Sequence, residues 1–376
     1  MTPSTQLKEI IYTDANDYFN RLIEAINIAQ QSVCLEVYIF ENDALSKRLI
    51  RALKQAASRN VDVKLLVDGV GACTEFYLLA KDLINAGVAV KIYHPLPWHL
   101  EQWPLALSKH KGINKFFYLL TFINKRDHRK LLLVDKNAAW LGSFNVSQKH
   151  LPRSDDGESW RDTAIEIRDT DLEVLDINFN AAWLKQRKRK ISSPLPPSPF
   201  RFNYTRALRV KQREDLLKRI KQAKDTIWIT NAYFIPDKHL LDALVLASRK
   251  GVDVQIILPR NSDIFFIPWA SSYFYDRLVK SGVRIFEFQD RVLHAKTLII
   301  DDWALIGSSN LNRRSLHHDL ELDYSLQKAE SKKRLRDDFL NDQKNCKELD
   351  LKEFEQTRLW QRVIGGLLIF LLARWV

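Results

Sequence analysis

Residues 128–135 read HRKLLLVD, and residues 294–301 read HAKTLIID. Each stretch carries a histidine, a lysine two positions later and an aspartate seven positions later, on an apolar run. Because side chains alternate along a β-strand, the histidine and the lysine share one face, and the aspartate lies on the other face or in the turn beyond. The same spacing in two places indicates a duplicated structural unit with a functional group on each copy.

The sequence around each copy repeats as well. A strand pattern that ends in aromatic residues (LEVYIF, WITNAYF) precedes an amphipathic helix pattern, a Val-rich strand, a second helix, a glycine turn and another strand. The motif strand follows, and the strand after it leads into a Gly-Ser-x-Asn turn. The order β-α-β-α-β-β-β therefore occurs twice. It predicts an α/β fold of two similar domains, each a mixed β-sheet flanked by helices, related by a pseudo-two-fold axis.

The two halves meet at ISSPLPPSPF, residues 191–200, whose four prolines favour a semi-rigid spacer. We therefore predict a first domain, a Pro-rich linker, a second domain and a C-terminal tail, over residues 1–190, 191–202, 203–350 and 351–376.

The first half is longer than the second. Val61 and Val252 are matching landmarks 191 positions apart, whereas His128 and His294 are only 166 apart, so 25 extra residues lie between the landmarks of the first half. They fall at about residues 95–126, a basic and aromatic insert that leads directly into the first motif strand.

The composition narrows the class of partner. The 376 residues include 58 Lys+Arg and 46 Asp+Glu, a net charge of +12 that favours nucleic acid, an anionic membrane surface or a phosphorylated substrate. The three cysteines have no paired spacing and belong to no Cys/His cluster. We therefore expect no metal site, and a reduced cytosolic compartment.

The residue types of the motif suit chemistry at a phosphoryl group. Lysines and Asn amides can bind non-bridging oxygens, one neutral imidazole can attack phosphorus, and a second can protonate the leaving oxygen. An attacking histidine needs an acceptor on its other ring nitrogen, and Asp162 and Glu321 are candidates at corresponding places. The supporting residues that we predict are Ser143, Asn145, Asp162, Ser308, Asn310 and Glu321.

The paired motifs with their GSFN and GSSN turns resemble the two signature motifs of the phospholipase D superfamily, and the resemblance covers about residues 20–330. Within that superfamily, the stretches YIFENDALSKRLIRAL, WRDT, AYFIPD and SSNLNRRSLHHDLELD are similar to bacterial cardiolipin synthases. The chain departs from many relatives at Asp319, where they carry an asparagine two residues before the glutamate.

The resemblance implies two phospholipase D-like domains and a two-step exchange through a phosphatidyl-histidine, with no metal or other cofactor. It implies that His128 is the nucleophile and His294 the acid and base. The catalytic set is His128, Lys130, Asp135, His294, Lys296 and Asp301, with each aspartate supporting its motif.

The activity that the resemblance implies is synthesis of cardiolipin from two phosphatidylglycerol molecules, with release of glycerol. Phospholipase D and phosphatidylserine synthase are alternatives that differ in the acceptor, and a nuclease of the same superfamily is more remote. A lipid-binding protein without activity is disfavoured, because both motifs are intact. The sequence does not decide the oligomeric state.

The C-terminal sequence indicates a membrane surface. Residues 363–373 are uncharged and would span about 16 Å as a helix, too short to cross a bilayer. Arginines and tryptophans bracket them, as at a headgroup interface. We expect a peripheral enzyme on the cytoplasmic face of a bacterial inner membrane and no nucleic-acid partner. Alternatively, the tail packs against its domain or forms a dimer contact. The insert at 95–126 is either a second membrane contact or a lid.

Overall fold

The chain forms two compact units in the computed structural model, which describes residues 7–73, 75–108, 110–184 and 198–371. The first unit comprises the residues through Gly157 together with Ala164–Ser198. The second comprises Glu158–Thr163 together with the residues from Pro199 on. Most of the predicted linker lies outside the described residues, so its boundaries stay predictions. The sequence pattern gave no sign that Glu158–Thr163 belong to the second unit.

The first unit is a mixed β-sheet with helices on both faces. Its strands are β1 (Lys8–Tyr12), β2 (Ser32–Val37), β3 (Asp62–Asp68), β4 (Ala89–Tyr93), β5 (Leu131–Val134), β6 (Ala138–Gly142) and β7 (Ala164–Arg168). Its helices are α1 (Ala15–Ile28), α2 (Ala44–Ser58), α3 (Phe76–Asn85), α4 (Gly112–Thr121) and α5 (Glu173–Trp183).

The strands of this sheet lie in the order β1-β7-β6-β5-β2-β3-β4. Strands β2, β3 and β4 are parallel, and β5 pairs antiparallel with β2. The core of the first unit lies between one face of the sheet and α1, α2 and α3, because their apolar stripes are buried together against β2, β3 and β5. The predicted order of elements and the mixed sheet are confirmed.

The insert follows β4. It contains a 3-10 helix over Leu100–Leu105 and then α4, and Leu107 donates a backbone hydrogen bond to the Ile92 carbonyl at 3.1 Å. Helix α4 exposes Ile113, Phe117 and Leu120, which are spaced as one helical stripe. The insert therefore extends the β4 edge and presents an apolar surface.

The second unit repeats this architecture. Its strands are β8 (Phe200–Phe202), β9 (Thr226–Asn231), β10 (Asp253–Pro259), β11 (Arg284–Phe288), β12 (Lys296–Ile300), β13 (Trp303–Gly307), β14 (Leu322–Ser325) and β15 (Cys346–Glu348). Its helices are α6 (Arg206–Gln222), α7 (Lys238–Arg249), α8 (Ile267–Ser272), α9 (Tyr275–Val279), α10 (Arg313–His317), α11 (Ala329–Gln343) and α12 (Leu351–Leu371).

The second sheet has the order β15-β11-β10-β9-β12-β13-β14-β8, again with three parallel strands beside an antiparallel motif strand. The described part of the chain contains no helix that is long and apolar enough to span a membrane. Helix α12 packs on α8, so the predicted tail contacts its own unit over its described part.

Candidate active site

His128 lies just before β5, where the chain enters the first motif strand. Its imidazole packs against the Tyr38 ring, with the centroids 4.8 Å apart, and Lys130 Nζ donates to the His128 carbonyl oxygen at 2.7 Å. Lys130 Nζ also lies 5.1 Å from the centroid of the Tyr38 ring. The histidine and the lysine are both buried, so their conformations are fixed by packing.

His294 has nearly the same surroundings before β12. Lys296 Nζ donates to the His294 carbonyl oxygen, and the Tyr233 ring lies 6.2 Å from the imidazole and 5.9 Å from Lys296 Nζ. In each unit, therefore, one tyrosine and one backbone carbonyl hold a buried His–Lys pair.

The motif aspartates lie at the opposite end of the strand from the histidines. Asp135 accepts hydrogen bonds from the backbone N–H groups of Gln30, Gln31 and Ser32, at 2.7–2.9 Å. Asp301 accepts three from Lys224, Asp225 and Thr226, each at 2.9 Å. Seven residues at about 3.3 Å each separate aspartate from histidine by roughly 20 Å. Each carboxylate therefore ties the motif strand to the turn before its neighbour, and does not reach the histidine of its own motif.

The Gly-Ser-x-Asn turns are anchored by the backbone in the same way in both units. Asn145 Oδ1 accepts from the Ile39 N–H at 3.3 Å, and Asn310 Oδ1 accepts from the Tyr233 N–H at 3.3 Å. Because the oxygen is held, the Nδ2 donor is the part of each side chain suited to an oxyanion. Ser143 is fully buried at the end of β6.

Asp162 supports His294, although it precedes that histidine by 132 residues. Its Oδ1 lies 2.9 Å from His294 Nδ1, and both side chains are buried. The segment Glu158–Thr163 brings it there, since the His294 and Ala295 N–H groups both donate to the Arg161 carbonyl, at 2.8 and 3.0 Å. With Nδ1 held by the carboxylate, Nε2 is the ring nitrogen suited to proton transfer.

Glu321 has a different partner in the second unit. Its Oε2 accepts from Ser308 Oγ at 2.5 Å, and its backbone N–H donates to Asn203 Oδ1 at 2.7 Å. Asp319, the departure from many relatives, forms an ion pair with Arg314 at 3.0 Å. A carboxylate in place of an amide here is thus balanced by a neighbouring guanidinium.

The second motif is electrostatically perturbed. Burial lowers the pKa of His294, the Lys296 charge lowers it further, and Asp162 opposes both effects. Burial also lowers the pKa of Lys296, to about 8. Burial and the Lys296 charge thus favour the neutral form of His294, Asp162 favours its protonated form, and Lys296 is close to losing its proton.

A buried ionic cluster, which we define as Glu36, Asp127 and Arg129, adjoins the first motif. Arg129 donates to both carboxylates, at 2.6 Å to Glu36 and 2.8 Å to Asp127. Burial raises the pKa of Glu36 well above its ordinary value. Burial also acts to raise the pKa of Asp127, but Arg129 overcomes it and holds that pKa low. The cluster thus places one buried guanidinium between two buried carboxylates, and the sequence reasoning missed it.

Among the described residues, no group of three His, Cys, Asp or Glu side chains is arranged to hold a metal ion. The expectation of a metal-free and cofactor-free reaction stays a prediction.

Comparison with known proteins agrees with this geometry. A family model described as "Cardiolipin synthase, PLD-like domain" matches residues 22–183 and 216–343, one segment for each motif. The chain is 30% identical to a cardiolipin synthase of Clostridium perfringens (strain SM101 / Type A) over 96% of its own length and 75% of the relative. It is 30% identical to the major cardiolipin synthase of Bacillus subtilis (strain 168), over 94% of its own length and 72% of the relative.

A solved structure shares the fold across nearly the whole chain. It is the phosphatidylserine synthase of Haemophilus influenzae Rd KW20, with a TM-score of 0.67, 12% identity, and coverage of 97% of this chain and 93% of that one. Two mixed sheets, each with a buried His–Lys pair, define an enzyme of the phospholipase D superfamily. Within it, the chain belongs to the cardiolipin synthase family. The predicted fold class and the prediction of a phosphatidyltransferase of this superfamily are confirmed.

Proposed function

We propose that the protein makes cardiolipin from two phosphatidylglycerol molecules and releases glycerol, through a phosphatidyl-histidine intermediate. The observation that carries the proposal is the duplicated buried His–Lys pair, each beside an anchored asparagine, in a chain of the cardiolipin synthase family.

In the first step, His128 Nε2 attacks the phosphorus of one phosphatidylglycerol. A P–N bond forms and the P–O bond to the glycerol headgroup breaks. His294 begins in the protonated form that Asp162 stabilises, and its Nε2 gives a proton to the departing oxygen, so that glycerol leaves. Lys130 and Lys296, with the Asn145 and Asn310 amides, stabilise the charge on the non-bridging oxygens.

In the second step, a headgroup hydroxyl of another phosphatidylglycerol attacks the same phosphorus. His294, now neutral, takes the hydroxyl proton, the P–N bond to His128 breaks, and cardiolipin leaves. Asp162 holds Nδ1 of His294 throughout and stabilises its protonated form. Both histidines return to their starting states.

The place of action that we propose is an anionic membrane surface, on the cytoplasmic face of a bacterial inner membrane. Exposed apolar side chains on α4 and α12 and the net charge of +12 support it. Insertion of these side chains would hold the enzyme where its substrates lie.

The test is an assay of purified protein on vesicles that contain isotopically labelled phosphatidylglycerol, with cardiolipin, glycerol and phosphatidic acid quantified together. We expect one cardiolipin and one glycerol for every two phosphatidylglycerols consumed, with and without excess chelator. Phosphatidic acid as the only product would identify a phospholipase D, and phosphatidylserine formed on addition of serine would identify the other alternative. Consumption of no lipid, with cleavage of single-stranded DNA, would overturn the proposal in favour of a nuclease.

A further inference from the structure

The connection between β10 and β11 is longer and more aromatic than its counterpart in the first unit. It runs over residues 260–283, whereas the corresponding connection between β3 and β4 runs over residues 69–88. The longer connection contains IFFIPWASSY, residues 264–273, which we call the aromatic segment. Phe265 is 70% exposed, and its ring contacts Phe266 and Trp269 with centroids 5.5 and 5.7 Å away.

Helix α12 packs on the aromatic segment through its glycines. A Cβ added to Gly365 would overlap the Trp269 carbonyl oxygen, and one added to Gly366 would lie 3.0 Å from the Tyr273 ring. Trp360 contacts Trp269 with ring centroids 5.4 Å apart. The close approach therefore depends on two positions without side chains.

The other face of α12 is apolar and open. Val363, Leu367 and Phe370 recur every three to four residues, as members of one helical stripe do, and they are 57–79% exposed. Trp360, 50% exposed, lies at the edge of this stripe, where its ring contacts Trp269. Together with Phe265 they give this unit a contiguous set of exposed apolar side chains. Helix α12 therefore packs on its own unit through its glycine face. Its other face exposes an apolar surface.

The aromatic segment begins one residue after Asp263, which connects it to the second motif. Asp263 Oδ2 accepts from the Tyr233 hydroxyl at 2.6 Å, and the Tyr233 ring lies 6.2 Å from the His294 ring. A lipid whose acyl chains contact the aromatic segment would therefore have its headgroup near His294.

The charge beside this surface suits an anionic partner. Arg362 and Lys280 share one carboxylate, Asp276, at 3.6 and 2.6 Å, so the three groups together are positively charged. Tryptophan and arginine at the border of an apolar stripe are typical of proteins that lie in a headgroup interface.

We infer that the aromatic segment and α12 form one composite surface that inserts into an anionic phospholipid bilayer and positions substrate headgroups beside the second motif. The choice of a phospholipid bilayer as the partner of this surface rests on the proposed function. It assigns a role to residues 264–273, which lie far from the tail in sequence.

The experiment compares Phe265→Ser, Leu367→Ser and the double variant with Leu246→Ser. Leu246 is a matched control, because it is 47% exposed on α7 of the same unit and lies outside the composite surface. Binding is measured by co-sedimentation with vesicles of phosphatidylglycerol and phosphatidylcholine. Activity is measured on those vesicles and on a short-chain phosphatidylglycerol below its critical micelle concentration.

We expect each single variant to partition several-fold more weakly and the double variant at least tenfold more weakly, while Leu246→Ser binds as the wild type does. Activity should fall on vesicles at limiting lipid, and stay within twofold on the dispersed short-chain lipid. Wild-type binding by Phe265→Ser would overturn the inference, and so would equal activity losses on both substrates.

Failure of the proposed function would give a different result. Wild-type protein would then form no cardiolipin from either substrate, and the co-sedimentation of the variants would still decide whether the composite surface binds lipid.

Discussion

The two units carry the same His–Lys geometry on one face of the motif strand and unrelated residues on the other. In the first unit the reverse face holds the ionic cluster of Glu36, Asp127 and Arg129. In the second unit the corresponding positions, given by the strand registers, are Thr230, Leu293 and Ala295.

The second unit fills this reverse face with an apolar cluster instead. Leu293 and Ala295 are buried together with Ile257, Phe286 and Phe339. The two units therefore share one face of the motif strand and the hydrogen bonds to the backbone near its two ends. The reverse face of that strand packs differently in the two units: against an ionic cluster in the first and against an apolar cluster in the second.

The largest effect should distinguish the roles of the two histidines. His128→Asn and His294→Asn should each lower turnover of phosphatidylglycerol by about 10³-fold or more, because each removes a group that makes or protonates a bond in the transition state. A phosphatidyl ester of p-nitrophenol separates the roles, since its leaving group needs no proton. His294→Asn should release about one equivalent of nitrophenolate in a burst and leave the adduct on His128, whereas His128→Asn should release none.

His239→Asn, on the exposed face of α7, is the control and should behave as the wild type. A burst from His128→Asn with none from His294→Asn would reverse the assignment and keep the mechanism. Near wild-type turnover of phosphatidylglycerol by either variant would contradict the two-histidine mechanism.

The next effect concerns stability and the ionic cluster. Arg129→Ala should lower the free energy of unfolding by about 3–5 kcal/mol, because it leaves the Asp127 carboxylate buried without its cation. The triple variant Glu36→Thr, Asp127→Leu, Arg129→Ala installs the residues of the second unit. It should recover part of that loss, because it removes both buried carboxylates together with the cation, although the new side chains fill less volume. Urea denaturation followed by circular dichroism measures both.

A triple variant as unstable as Arg129→Ala would show that the first unit requires its charges and that the two solutions are not interchangeable. Its activity adds a second measurement. If the cluster only packs the strand, the stable triple variant should keep a wild-type pH profile.

The smallest effect is a pH shift at the second motif. Lys296, with its pKa of about 8, is charged below that pH and loses its charge above it. The value of kcat/KM for dispersed phosphatidylglycerol should therefore fall as the pH rises through about 8, as positive charge is lost near the phosphoryl oxygens. Asp263 raises the pKa of Lys296, so Asp263→Asn should move this descending limb to lower pH.

The pH profile of the Leu246→Ser variant should superimpose on that of the wild type. A descending limb that Asp263→Asn leaves in place would mean that a group other than Lys296 controls it.

The motif strands and the order of elements could be predicted from sequence because both are short-range signals. A short apolar run marks the strand on which Lys296 lies, and a helical period marks α7. The turn position of Asp135 also follows from local spacing. These features need only the chain within about ten residues.

The partner of His294 could not be assigned in the same way. Asp162 was a candidate acceptor, but its pairing depends on Glu158–Thr163 lying in the second unit, and no local period encodes a contact across 132 residues. The ionic cluster left a weak signal. Asp127 and Arg129 alternate with His128 and Lys130, so both faces of one strand end are charged, which is unusual for a buried strand.

The placement of Glu158–Thr163 limits how this protein can be divided or recombined. A cut at the proline-rich join would give a second half without Arg161, which bonds Asp342 at 2.8 Å, and without Asp162, which bonds His294. The repeats are thus no longer exchangeable modules. An intact second module consists of two separated stretches of chain, and a chimaera that takes this half from a relative should take the equivalent of residues 158–163 from the same donor.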